Sequence, residues 1–114
     1  MNLSKLKLGK LNRYKIINFP KDIDLGVENS SKPEIIIYFI SELKDVESFI
    51  KTCNDIDLPI DNRTIIVYRK NNKLVNRDTI IAPFKEGKYK NYKLKPPMLC
   101  SLSDSLSAFV MQKI

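Results

Sequence analysis

The run Ile35-Ile36-Ile37-Tyr38-Phe39-Ile40 limits what this chain can fold into more than any other feature. A short apolar stretch with no polar alternate positions suits a strand covered on both faces, so a central sheet strand is predicted from about Glu34 to Ile40. Ser41 follows as a predicted helix N-cap, with Glu42 and Asp45 in the first turn to complement the positive end of the helix dipole. The helix is predicted from about Glu42 to Asn54. Leu43, Val46, Ile50 and Cys53 recur at helical spacing beside Phe49, giving one apolar stripe to lay on the sheet, with Lys44, Glu47 and Lys51 outward. After a loop containing Pro59, Arg63-Thr64-Ile65-Ile66-Val67-Tyr68-Arg69 supplies a further strand. A strand, a crossover helix and a strand make a βαβ unit, whose strands are expected to be parallel and whose crossover is expected to be right-handed.

The flanking segments complete a small single α/β domain. Arg13 to Phe19, rich in β-branched and aromatic residues and stopped by Pro20, predicts a first strand. Residues 21–33 are polar and loop-like. Residues 1–12 alternate leucine with lysine at spacings that fit neither structural period, and are expected to form a loosely docked basic arm, leaving 13–114 as the domain. Beyond the polar segment Lys70 to Leu74, Asn76 is placed to cap a second helix, with Val75 and Ile80 at the spacing of a hydrophobic staple. Pro83 should keep that helix short or kinked, and Gly87 lies past its end. Met98 to Leu102, a turn near Ser103-Asp104, and Leu106 to about Lys113 predict a carboxyl-terminal β-hairpin.

Charge is unevenly distributed. The formal net charge is +7, and residues 1–57 hold nine Lys/Arg against nine Asp/Glu, so the excess belongs to the second half. Between Arg63 and Lys95, ten cations (Arg63, Arg69, Lys70, Lys73, Arg77, Lys85, Lys88, Lys90, Lys93, Lys95) meet only Asp78 and Glu86, with Tyr68, Phe84, Tyr89 and Tyr92 interleaved. Such a mixture could neutralise phosphates and stack bases, or could be a solvated lysine-rich face. Met1 to Tyr14 carries cations without the apolar core of a secretory signal, and no run is long enough to span a bilayer. Cys53 and Cys100 sit in apolar stretches and are expected to be buried free thiols. A reducing cytoplasmic location, with no membrane association, is the consistent expectation.

The ordered segments Ile65 to Lys70, Val75-Asn76-Arg77-Asp78-Thr79-Ile80 and Asp104-Ser105-Leu106-Ser107-Ala108-Phe109 resemble those of a family of small bacterial α/β proteins of unknown function. In that family the third strand ends in an aromatic-Pro-Lys-type sequence, the helix opens with Asn-Arg-Asp, and the carboxyl end carries an Asp-x-Trp-Ser-Ala-like segment. The resemblance spans Tyr14 to Lys113, with Leu106 where the tryptophan is expected and Arg69 where the proline is. It implies a fold and a set of positions, and no activity.

Candidate functional residues follow from placement. Asn76, Arg77 and Asp78 should lie at the carboxyl end of a parallel strand, where open α/β sheets bind ligands. With Lys70 and Lys73 around a helix N-terminus, Lys70, Lys73, Asn76 and Arg77 form the candidate anion or ligand site. The structural alternative has Asn76 as cap, Asp78 complementing the dipole and Arg77 reaching a carboxylate such as Asp104, or the Ser107 region, to form a polar cluster. Residues 70–74 contain no glycine, which argues against close approach to a pyrophosphate. With no histidine in the chain, and no base evident beside Ser41, Ser107 or Tyr68, an enzyme is disfavoured. Asp78 and Asp104 could share a cleft only if folding brings them together. No cofactor or metal is indicated. Two functions remain: an interaction or accessory module with a protein partner, working through the carboxyl edge of the parallel strands, and a nucleic-acid-binding module. The second would use Arg63, Arg69, Lys85, Lys88, Tyr89, Lys90, Tyr92, Lys93 and Lys95.

Overall fold

The computed structural model describes residues 3–88, 94 and 98–114. Five strands form one mixed sheet in the order β1-β2-β3-β5-β4: β1 Tyr14–Ile17, β2 Ile35–Phe39, β3 Arg63–Arg69, β4 Met98–Ser101 and β5 Leu106–Met111. Two helices, α1 Lys44–Asp55 and α2 Arg77–Lys85, complete the small α/β domain. β1, β2 and β3 run parallel, with Ile37 of β2 between Ile16 and Ile65. β5 returns antiparallel to β3 and pairs Tyr68 with Ser107, and β4 completes the hairpin. Every residue of β2 is buried, as its unbroken apolar sequence requires.

Alternation along the strands sorts the core into two layers. Ile36, Tyr38, Ile66, Tyr68, Phe109 and Met111 face the helices, packing on Val46, Phe49, Ile50 and Cys53 of α1 and on Val75 and Ile80 at the start of α2. Lys44, Glu47 and Lys51 are exposed on the outer face of α1. Ile35, Ile37, Phe39, Ile65, Val67, Ala108 and Val110 face the other way. That second face is covered by Leu6, Leu8, Leu11 and Leu25, all buried, from the amino-terminal segment and the β1–β2 loop. The expected loosely docked arm is therefore an integral cover of the sheet, entered through a short 3-10 helix, Leu3–Leu6. Positive φ at Lys7 and Gly9 turns the leucines inward in a pattern neither helix nor strand would give.

Local details also depart from expectation. Helix α1 begins two residues later than predicted, at Lys44, and Ser41 does not cap it. Instead the Asp45 carboxylate reaches back to accept the Ser41 and Glu42 amides at 2.9 and 3.0 Å, so the cap comes from inside the first turn. Leu43, expected on the apolar stripe, precedes the helix and is exposed. Cys53 is buried; Cys100 is half-buried, its thiol donating to the Lys5 carbonyl at 3.0 Å, and the two are not paired. Among the described residues no helix is long and apolar enough to cross a membrane.

Candidate functional site

The carboxyl ends of β1, β2 and β3 and the β4–β5 turn share one edge of the sheet. Parallel pairing of the first three strands puts Ile17, Phe39 and Arg69 there, and antiparallel β5 starts there because Leu106 pairs with Arg69. The Lys70 amide donates to the Ser105 carbonyl at 2.9 Å, and Lys70 Nζ to Ser101 Oγ at 2.6 Å. The expected convergence of the 76–78 motif and the Asp104 turn on one edge is thus present. Among the described residues the expected Arg77–Asp104 pair is absent, although Tyr68, hydrogen-bonded to Ser107, lies near the Arg77 charge. Arg77 Nε meets the adjacent Asp78 carboxylate at 3.5 Å, with both side chains largely exposed, and Asp104 is exposed in its turn. Helix geometry explains this: Arg77 is the first helical residue, and its side chain stays over its own N-terminal turn.

Segment 72–79 is the most tightly organised part of this edge. Asn72 Oδ1 accepts the Leu74 and Val75 amides at 2.8 and 2.9 Å. Asn76 Oδ1 accepts the Asp78 and Thr79 amides, both at 3.1 Å, and Thr79 Oγ1 accepts the Asn76 amide at 3.0 Å, closing a reciprocal capping box. Asn76 Nδ2 donates back to the Asn72 and Lys73 carbonyls, and the Thr79 hydroxyl donates to the Leu74 carbonyl at 2.9 Å. The staple pair Val75 and Ile80 is buried beneath. This network holds Leu74 outward, 76% exposed, between Lys73 and Arg77.

Behind it, the Arg69 guanidinium lies 5.7 Å from the Phe39 ring centre and donates through Nη2 to both Asp22 oxygens, at 3.1 and 3.3 Å. Phe19 packs on Phe39 with ring centres 5.2 Å apart. A cavity of about 140 Å³ opens beside Arg69 and Phe39, lined also by Ser41, Asn72 and Val75. The Tyr68 phenol lies on the helix side of the edge. Burial pushes its pKa up, against smaller downward effects from a hydrogen bond to Ser107 and the nearby Arg77 charge. It therefore stays protonated at neutral pH and offers no base.

The basic residues of 63–95 do not lie along one strand edge. Arg63 and Arg69 occupy opposite ends of β3, roughly 20 Å apart at strand rise, and Arg63 is engaged with Asp61 at 3.1 Å. Lys85 ends α2, and Lys88 beyond it approaches Glu47 of α1 at 4.0 Å. Tyr89, Lys90, Tyr92, Lys93 and Lys95 lie outside the described residues. Among those described, no group of three or more potential metal ligands gathers. Sequence reasoning missed Phe39, Asp22 and the cavity. Phe39 was legible only as a core residue, and Asp22 as one of several loop acids. Compared with family models, curated proteins and solved structures, the chain matches none.

Proposed function

We propose that this protein is a non-enzymatic interaction module that recognises a protein partner through the carboxyl edge of its parallel strands, with segment 72–79 as the contact. The observation that carries the proposal is the exposed Leu74 on a hydrogen-bonded loop, with Lys73 before it and Arg77 three residues after it. A large apolar side chain fixed outward in a rigid loop loses little conformational entropy on docking, so its burial contributes more fully to affinity. Between Arg69 and Asp78 the sequence holds four cations and one carboxylate, which suits an acidic partner segment carrying an apolar residue. A cytoplasmic location and kinship with the small bacterial family described above belong to the same proposal.

The test is fluorescence anisotropy with a labelled panel of Asp/Glu-rich peptides, each carrying a single Leu or Phe. Micromolar binding is expected, weakened about tenfold by Leu74→Ser, the loss of one buried leucine contact, and further by Lys73→Glu with Arg77→Glu. Single- and double-stranded DNA and RNA are titrated in parallel over a salt series. Tight nucleic-acid binding that weakens steeply with salt and ignores Leu74→Ser would replace this function with nucleic-acid contact through the 63–95 residues.

A further inference from the structure

We propose that the cavity beside Arg69 is a binding site for a small aliphatic carboxylate, behind the exposed Leu74 side chain and sharing Asn72 and Val75 with the segment that carries it. It lies at the carboxyl edge of β1, β2 and β3, the end of a parallel sheet at which α/β folds take ligands. Its lining combines the apolar Pro20, Phe39, Ile40 and Val75 with the polar Ser41, Arg69 and Asn72.

The polar residues supply donors. Arg69 spends Nη2 on Asp22, and among the described residues its Nε and Nη1 have no partner. Asn72 has its Oδ1 occupied by the Leu74 and Val75 amides, and its NH₂ has no partner among the described residues. Ser41 adds a hydroxyl. Among the described residues no carboxylate lines the cavity, and Asp22 and Asp45, which stand near these groups, are already engaged. Asp22 is held by Arg69, and Asp45 accepts the Ser41 and Glu42 amides together with Asn18 Nδ2 at 3.3 Å. A ligand entering here meets hydrogen-bond donors and one cation, which favours an acceptor-only anion over a cationic amine.

The donors are also fixed before any ligand arrives. Arg69 is held by Asp22 and lies 5.7 Å from the Phe39 ring centre, Phe39 is packed on Phe19, and Asn72 is pinned by two amides. Size completes the assignment. A volume of about 140 Å³ is close to that of an engineered apolar cavity that holds benzene, so the occupant has roughly six non-hydrogen atoms. That describes a carboxylate on a chain of about two to four carbons, whose tail rests on Phe39, Ile40 and Val75. The same chemistry is offered by a free short-chain acid and by the terminal carboxylate of a peptide ending in a small apolar residue. With so few atoms, the expected Kd is on the order of 1 mM.

The test is a ¹⁵N NMR titration of the full chain with sodium butanoate, with N-acetylvaline as the peptide-terminus mimic, and with sodium chloride and butanamide as controls at matched ionic strength. Saturable shifts are expected at the amides of 40, 41 and 70–75 and at Arg69 Nε, with butanamide at least about tenfold weaker. Tighter binding of N-acetylvaline assigns the site to a chain terminus, and tighter binding of butanoate to a free acid. Arg69→Met should weaken binding at least about tenfold. Because that change also releases Asp22, Ser41→Leu, at an exposed position, serves as a second variant that fills the cavity and should abolish the shifts while leaving the rest of the spectrum intact. Shifts that remain linear to about 50 mM, far above the expected Kd, would overturn the proposal. So would equal shifts from chloride or butanamide, or undiminished binding by either variant.

Discussion

Replacing Asn76 separates the two roles its side chain plays in holding the presented loop. Asn76→Ala removes the acceptor shared by the Asp78 and Thr79 amides, and also the donor that clasps the Asn72 and Lys73 carbonyls. Loss of an N-cap costs about 1–2 kcal/mol, and the clasp, through bonds of 3.1 and 3.3 Å, adds roughly 0.5 kcal/mol. The half-buried position lets water recover part of this, so a total of about 1.5–2 kcal/mol is expected. In a domain of this size that lowers Tm by roughly 6–9 °C. Asn76→Asp keeps the acceptor and places a negative charge at the helix N-terminus, worth about 0.3–1 kcal/mol, but it loses the clasp and sets an oxygen against the Asn72 and Lys73 carbonyls. It should be more stable than the alanine variant by about 0.5–1 kcal/mol while remaining below the parent. Urea unfolding gives the stabilities, and native-state hydrogen exchange locates the effect at the 74–79 amides. An aspartate variant as unstable as the alanine variant, or an alanine variant within about 0.5 kcal/mol of the parent, would refute the view that the acceptor organises this loop.

Other outcomes can be checked by the same methods. Thr64 is fully buried with a hydroxyl that has no partner among the described residues, so Thr64→Val should raise stability by about 1 kcal/mol in urea unfolding. Asn62, also buried, donates to the Pro59, Ile60 and Lys113 carbonyls and accepts the Lys113 amide at 2.9 Å; Asn62→Ala should cost about 2–4 kcal/mol and loosen residues 112–114. Arg77 is 62% exposed and paired only locally, so Arg77→Ala should change stability by less than about 1 kcal/mol while weakening partner binding. Burial raises the Tyr68 phenol pKa above its ordinary value of 10.0. The folded state therefore holds that proton more tightly than the unfolded state, and the resulting stability is complete below about pH 10 and is lost as pH rises toward the raised pKa. Tyr68→Phe should flatten that alkaline fall in a pH series of denaturant midpoints.

The fold was legible wherever one periodicity held over several residues. The continuous apolar run of 35–40 fits an interior strand, and Val46, Phe49, Ile50 and Cys53 share one helical face, so β2, α1 and the parallel relation of β2 to β3 followed from pattern alone. Asn76 was legible as a cap because its short polar side chain precedes a staple-spaced apolar pair. The amino-terminal cover was not, since Leu6, Leu8 and Leu11 are turned inward by left-handed backbone at Lys7 and Gly9. The cap of α1 was assigned to Ser41 because propensity does not reveal that Asp45, further along the chain, can reach back to the same amides. The carboxyl-edge location of the site could be deduced from topology. Its cavity could not, because Arg69 meets Asp22 across 47 positions and both contacts depend on the path of an irregular loop.

Chemical-shift mapping of the ¹⁵N-labelled chain with the tightest acidic, leucine-containing peptide from the panel tests the central claim most directly. The account predicts saturable shifts concentrated in residues 69–79 and in the 103–107 turn, with Leu74 the most strongly affected and the amino edge of the sheet unchanged. Shifts centred instead on residues 56–63 and 112–114, or the absence of any saturable shift, would contradict it.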